Sequence, residues 1–529
     1  MNTVEVTATE APRSAQRSGQ SVGTRVRSWA IQPHLIVGYI VFTVIVVVAV
    51  MRNRWIISEG RVEDGDFGVN SILIDKALRG HLLVGNYSRV GFNHPGPALL
   101  YIQAAGQSLF LNVLHLVPRP YNAHVLSIIL FCAAMASVSA AILARRSRSM
   151  ITGLMVLAAA LMLGVVERGS IVSTSFPEVY IWPYMLLSVA VSSVISREPR
   201  DLPWAFLGVG LLCHGHVSFV LFSLGFLVVA IALLWRRRRT DLIPRAVVLK
   251  CAAIAFIFAF PFVLNMALHW PGELGKYWRY SRSPGAGGHS WISILRFIGS
   301  FWSAQGTLGF AVVGGLIGAT SLLVLQVRGP LDKSIEFGLL VTAGMSTVLL
   351  VIYARRGIDD LRYHYVAEFY YNAPTSILLA LGSVTVGIVV ANRRLMRALG
   401  LGVVFIVVVL SALPGQRALY PGANWVLDAA RFLDQSVPAH TTRIMRFPLE
   451  VWPGVAGIVE QSRRTGDSVC IAEPALGFLF NKSMICDADQ RVHGVIVDAL
   501  PPATTAKSDS AVVARYASPQ IILEVRSGP

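Results

Sequence analysis

The stretch RVEDGDFGVNSILIDKALRG, residues 61–80, follows the first long apolar run of the chain. It holds Glu63, Asp64, Asp66 and Asp75 in a protein whose 46 Lys and Arg outnumber 29 Asp and Glu. After Asp66, the residues Phe67, Val69, Leu73, Ile74, Ala77 and Leu78 recur at roughly helical spacing, with Asn70, Asp75, Lys76 and Arg79 between them. Gly80 then supplies a helix stop. The pattern predicts an amphipathic helix along a membrane surface, with Asp64 and Asp66 at its N-terminal end. Aspartate is a favoured N-cap, so Asp66 has a structural role open to it. Capping accounts for one acid, but not for three between positions 63 and 66.

Composition sets the frame for this stretch. The 529 residues are 54% hydrophobic and 14% charged, whereas soluble domains carry about 25% charged residues. Apolar runs near the roughly 20 residues needed to span a bilayer recur along most of the chain. An α-helical polytopic membrane protein is expected. The basic residues fall in short clusters between apolar runs, as orientation signals do, so membrane lipid is the expected partner and nucleic acid is not. Residues 1–30 are polar and Arg-rich and read as a disordered cytoplasmic leader rather than a cleaved signal peptide.

Setting the apolar runs against the Lys/Arg clusters gives about eleven spans within residues 31–414, with a first outer loop at about 52–120. Span one lies near Leu35–Val50 and span two at Tyr121–Ala144, ending on Arg145, Arg146 and Arg148. The run from Pro203 to Trp235 is too long for one crossing and divides at CHGHVS, which puts His214 and His216 at an outer turn before the Arg236–Arg239 cluster. An eighth span returns near Arg328 and Lys333, and the eleventh exits near Pro414.

With the N-terminus inside, an odd count places residues 415–529 outside. Helical stretches (NWVLDAARFLDQ, GVAGIVEQSRRTG) alternate there with strand-like runs (SVCIAE, GVIVDA, IILEV), which predicts a small extracytoplasmic α/β domain. That compartment permits a Cys470–Cys486 disulfide. Cys132, Cys213 and Cys251 lie in apolar runs and read as small hydrophobes.

Two further outer segments carry polar residues. In GNYSRVGFNHPGPALLYIQAAGQSLF, residues 85–110, Pro-Gly-Pro at 95–97 breaks any helix and redirects the chain into a second surface helix, Ala98–Phe110. Arg89 and His94 precede the break and suit either phosphate binding or snorkelling at headgroups. In RRGIDDLRYHYVAEFYYNAP, residues 355–374, Arg362, His364 and Glu368 enter a span among tyrosines. The aromatics fit an interfacial belt, whereas charges just inside a span are costly and more often functional. His214 and His216 fit a structural or interfacial role, because a metal would need further ligands.

In this order, these features resemble the GT-C superfamily of integral membrane glycosyltransferases that use polyprenyl-phosphate sugars. The similar parts are an acidic site on the first outer loop, a following surface helix, and an hxPPL-like break in NHPGPALLY. An Arg362-Tyr363 pair opening a late span and an outer C-terminal domain complete the set. GLLCHGHVSF also looks like the Q-x-H segment of bacterial members. Many members carry Asp-Glu where this chain has Asp66-Phe67, with Glu63-Asp64 lying just upstream, and HPGP replaces their Pro-Pro.

The resemblance implies an inverting transfer of a sugar from a polyprenyl-phosphate donor to an envelope polysaccharide, glycolipid or protein at the outer face of the cytoplasmic membrane. It makes Asp66 the expected general base, with Asp64 second. Arg362 is the main expected phosphate partner, and Arg89, His94 and His364 are further ones. Glu63, Glu368, His214 and His216 complete the outer-face candidates. No cofactor is required, although Glu63, Asp64 and Asp66 together could hold a divalent cation. Mannose, arabinofuranose, glucose and an aminosugar all stay open as the sugar. The rival readings are a transporter or flippase of lipid-linked sugar or solute, and a noncatalytic envelope-assembly scaffold. A transporter would call for charge near mid-membrane or half-to-half symmetry.

Overall fold

A computed structural model describes residues 32–167, 169–236, 243–282, 288–302, 334–390, 392–413, 418, 420, 422–480, 482–504 and 511–526. The leader at 1–30, residues 237–239 of the basic cluster, the eighth expected span with Arg328 and Lys333, and Pro414 lie outside the described residues.

The long apolar runs form helices. In chain order these are α1 (Pro33–Arg52), then α2 (Gly65–Leu78) and α3 (Ala98–Gly106), followed by α4 (Pro120–Ser147) and α5 (Met150–Val166). Next come α6 (Phe176–Val179), α7 (Ile181–Ile195), α8 (Leu202–Gly215), α9 (Phe219–Arg236), α10 (Arg245–Leu268), α11 (Gly272–Ser281) and α12 (Trp291–Ser300). The last three of the apolar region are α13 (Ile335–Arg356), α14 (Asn372–Val389) and α15 (Arg393–Ala412).

Among the described residues, seven helices are long and apolar enough to cross a membrane: α1, α4, α6 joined to α7, α10, α13, the segment His364–Val389, and α15. Met150–Val166, at 17 residues, is shorter than a full crossing. The run from Pro203 divides where expected, between α8 and α9, and His216 follows the last residue of α8.

Local chemistry sets the ends of α4. Pro120 opens it, Arg145 and Arg146 sit in its last turn, and Arg148 closes it in the left-handed conformation at φ 55°. Proline suits the first helical position, and cations suit the C-terminal end of the helix dipole. Burial separates centre from periphery: 94% of the Phe176–Ile195 window is buried, against 6% of the α15 window. Trp182 and Tyr184, buried at the centre, satisfy their polar atoms on Ser170 O at 3.0 Å and Ser346 Oγ at 2.9 Å.

The C-terminal residues build a five-stranded mixed sheet of order β2-β1-β3-β5-β4. Its strands are β1 (Arg443–Arg446), β2 (Val469–Ile471), β3 (Val495–Leu500), β4 (Val512–Ala517) and β5 (Ile522–Arg526). β2, β1 and β3 run parallel, and β5 is antiparallel to both β3 and β4. Helices α16 (Trp425–Ser436) and α17 (Trp452–Arg464) accompany the sheet. Cys470 in β2 is disulfide-bonded to Cys486. Strands β1 and β4 were not among the strand-like runs read from sequence.

Helix α2 joins the two regions. It forms where the apolar spacing predicts, but it does not lie on an open surface. Gly68 to Ile74 and Ala77 are all buried. Leu73, Ile74 and Ala77 enter the core of the apolar helices, while Val69 and Ile72 enter the core beneath the sheet. Burying each large apolar side chain contributes roughly 1.5–3 kcal/mol, so both faces of α2 hold it in place. Its contact with α17 is close: a Cβ on Gly68 would lie 3.1 Å from the backbone of Ala456 and Gly457, and one on Gly457 would lie 2.6 Å from Glu63 O.

Candidate active site

The acids of residues 61–80 are sent in three directions. Glu63 is 1% exposed and accepts hydrogen bonds from Ser71 and, at 2.7 Å, from Arg464 of α17. Burial pushes its carboxyl up, but the Arg464 guanidinium and the bonds from Arg464 and Ser71 outweigh this and hold it below the usual range. Asp64 occupies the N-cap position of α2, although its side chain makes no capping bond. Its Oδ1 instead accepts from the Tyr420 hydroxyl at 2.6 Å. Burial raises the Asp64 carboxyl, against the pull of that bond. Asp66 is therefore not the cap; it lies in the first turn, where the positive end of the helix dipole favours a carboxylate. Between the two, Gly65 adopts φ 53°, a left-handed turn that glycine makes without steric cost.

Asp66 lines a cavity of about 710 Å³, within the range of small-molecule sites. Opposite α2 stands a hairpin-like loop closed by Gly85 N to His94 O at 2.8 Å, His94 N to Asn86 O at 2.9 Å and Ser88 N to Phe92 O at 2.7 Å. Among the side chains the loop delivers to the cavity are Tyr87, Arg89 and His94. The Tyr87 hydroxyl donates to Asp66. Burial and the nearby Asp66 charge raise the Tyr87 phenol, which keeps that proton in place. Arg89 pairs with Asp359 and lies 5.2 Å from the Tyr363 ring. His94 is 3% exposed, and its ring centroid is 4.2 Å from that of His216. Burial, then the His216 ring, lowers His94 well below the ordinary histidine range, so it is neutral.

The Pro-Gly-Pro break packs the end of this loop against His214. Gly96 N donates to His214 O at 3.2 Å, and a Cβ on Gly96 would meet the His214 ring at 2.3 Å. His214 itself bonds the Phe258 carbonyl at 2.5 Å through Nε2. His214 is thus a packing residue under the loop, whereas His216 faces the cavity.

Arg362 and His364 line a different, shallower cavity of about 420 Å³, together with His289 and Arg296. Arg362 is 88% exposed and pairs with Asp360 at 2.6 Å. Its hydrogen bonds hold Asp360 down at about 2. Asp359 faces the Asp66 cavity while Asp360 faces the Arg362 cavity, so one short loop separates the two.

No protein-family model and no curated protein matches the chain. Among solved structures it is similar to ArnT from Cupriavidus metallidurans bound to undecaprenyl phosphate. The TM-score is 0.55 at 11% identity, and the match covers 93% of this chain and 97% of that one. The chain has the fold of ArnT. The Archaeoglobus fulgidus oligosaccharyltransferase, in complex with Zn and sulfate, aligns at TM-score 0.41 and 11% identity over 87% of this chain and 67% of that one.

Within this ArnT-like fold, the segment between α1 and α4 and the segment after α13 bring Asp66, Arg89 and His94 together, and leave Arg362 and His364 next door. Glu63, Asp64 and Asp66 do not converge as metal ligands, because each turns to a separate partner. Glu368 is 6% exposed and meets Glu167, which follows α5, and Glu178 of α6. Sequence reasoning missed Tyr87, Asp359, Tyr420, Arg464, Glu167 and Glu178. Glu167 and Glu178 carried a usable signal, since both stand in ERGSIVSTSFPEVY between two apolar runs. Tyr420 and Arg464 carried none, because their partners lie 356 and 401 residues away.

Proposed function

We propose that the protein transfers a sugar from a polyprenyl-phosphate donor to an envelope acceptor at the outer face of the cytoplasmic membrane, with inversion. The observation that carries this reading is Asp66 standing in one cavity with Arg89, in an ArnT-like fold. Asp66 is the general base. It takes the proton of an acceptor hydroxyl as that oxygen attacks the anomeric carbon. The bond from that carbon to the phosphate oxygen breaks, and the phosphate leaves with the electron pair. Arg89 exchanges Asp359 for the departing phosphate and stabilises its growing charge. Arg362, exposed in the adjoining cavity, is the second phosphate partner, with His364 beside it. His94, buried and neutral, holds the loop against His216 rather than adding charge.

The Cys470–Cys486 bond supports an outer placement of the sheet domain, because such bonds persist in oxidising compartments. The test is incubation of the purified protein with a labelled polyprenyl-phosphate sugar and envelope extract. Label should pass to an acceptor, and Asp66→Asn should lower the rate by about 10²–10⁴-fold without loss of fold. Label crossing between leaflets without transfer would instead mark a transporter, and neither outcome would leave the scaffold.

A further inference from the structure

Three carboxylates gather behind the wall of the Asp66 cavity. Glu167 follows α5, Glu178 belongs to α6, and Glu368 lies in the 3-10 segment His364–Tyr371. One carboxylate oxygen from each lies within 4.8 Å of the other two. Glu368 makes this more than an acidic cluster. It comes from a segment far along the chain, is 6% exposed, and points its carboxylate at the other two with no hydrogen-bond partner for Oε2 among the described residues. Glu178 Oε2 is buried and unpartnered as well. Among the described residues, no Lys or Arg pairs with any of the three. Carboxyls brought together out of water either hold their protons or share a cation that replaces them.

We propose that Glu167, Glu178 and Glu368 bind a hard divalent cation, Ca²⁺ or Mg²⁺, that clamps the end of α5 and α6 to the 364–371 segment. The donor set is all carboxylate oxygen, without the imidazole or thiolate that softer metals favour. Three oxygens no more than 4.8 Å apart share a point at most about 2.8 Å from each, and a small inward shift of the side chains brings it to the roughly 2.3–2.6 Å of Ca²⁺ or, with a larger shift, the roughly 2.0–2.1 Å of Mg²⁺. The clamp has a place in the site without entering its chemistry. Phe176 and Pro177 of α6 and Tyr365 and Val366 of the 3-10 segment line the Asp66 cavity. Binding an ion behind them would set the spacing of two cavity walls.

The test uses purified full-length protein in lipid nanodiscs, stripped with chelator and titrated with CaCl₂ or MgCl₂. Thermal unfolding and direct binding of radiolabelled Ca²⁺ are the readouts. One of the two ions should raise the unfolding midpoint by several degrees, and the difference between the arms identifies which. Glu368→Gln should weaken binding at least tenfold and abolish the shift, while raising the midpoint of the metal-free protein by relieving repulsion. Glu178→Gln is read in the same way if Glu368→Gln does not fold. Asp66→Asn should keep the full shift, which separates this site from the transfer reaction. A wild-type protein insensitive to both ions would overturn the proposal, as would a full shift retained in the glutamine variants.

Discussion

Glu63 and Arg464, 401 residues apart in sequence, meet in a buried ion pair at 2.7 Å. Arg464 also lies 3.0 Å from Glu460 of its own helix. The pair ties the segment that carries Asp66 to the sheet domain, beside the close Gly68–Gly457 contact. Removing one partner of a buried pair leaves an uncompensated charge and costs about 3–5 kcal/mol. Arg464→Met should therefore lower the thermal midpoint markedly and expose the sheet domain to limited proteolysis. Arg464→Lys, which keeps the charge, should lose less. Wild-type stability in Arg464→Met would show that the pair does not hold the domain.

Asp64 and Asp66 should separate cleanly by kinetics. Asp66→Asn removes the proposed base, whereas Asp64→Asn changes a residue turned toward Tyr420. Tyr420→Phe should cost about 1 kcal/mol of stability and leave transfer near wild type. Tyr87→Phe should lower kcat by about tenfold with little change in KM, because the lost hydrogen bond orients the base. A Tyr420→Phe variant as inactive as Asp66→Asn would reverse the assignment.

Gly96 tests the loop that delivers Arg89 and His94. An added methyl collides with the His214 ring, which is anchored on Phe258 O. Gly96→Ala should destabilise by about 1–3 kcal/mol, as overpacking does, and raise the KM for donor by shifting the loop that carries Arg89 and His94. Thermal unfolding and initial rates check both effects. An unchanged KM would mean that the loop tolerates the shift.

Acid should loosen the sheet. Asp498 of β3 is 5% exposed and is bonded by Arg446 of β1, at 2.7 Å, and by Arg526 of β5. Burial pushes its carboxyl up, but the bonds from the two arginines outweigh this and hold its pKa below the ordinary value. A lowered folded-state pKa adds stability that is present above the unfolded value of about 3.9 and is lost as pH falls through the folded one. Hydrogen exchange across β3 and β5 should therefore accelerate as pH drops below about 4, after correction for intrinsic rates. Asp498→Asn should be weaker at neutral pH and lack that part of the acid dependence.

Much of the architecture was legible in the residues. Apolar runs bounded by Lys and Arg marked the crossing helices, CHGHVS marked the break between α8 and α9, and short strand-like apolar runs marked β2, β3 and β5. These signals are local, because a helix or strand writes its own period into adjacent residues. Strand β1 reads RIMR, with an arginine at each end of two apolar residues, so no apolar run marks it.

What tertiary structure decided is where each acid points and what lies beside it. The sequence determined that acids cluster at the start of α2. Only folding turned Glu63 to Arg464, Asp64 to Tyr420 and Asp66 to the cavity. The two buried faces of α2 have the same origin: an amphipathic period shows that one face must be covered, but not that a second core will cover the other. Glu368 likewise shows in sequence only as a charge at the edge of a span, and its meeting with Glu167 and Glu178 depends on the packing of α6 against residues 364–371. Such juxtapositions join residues far apart in the chain, and no local pattern encodes them.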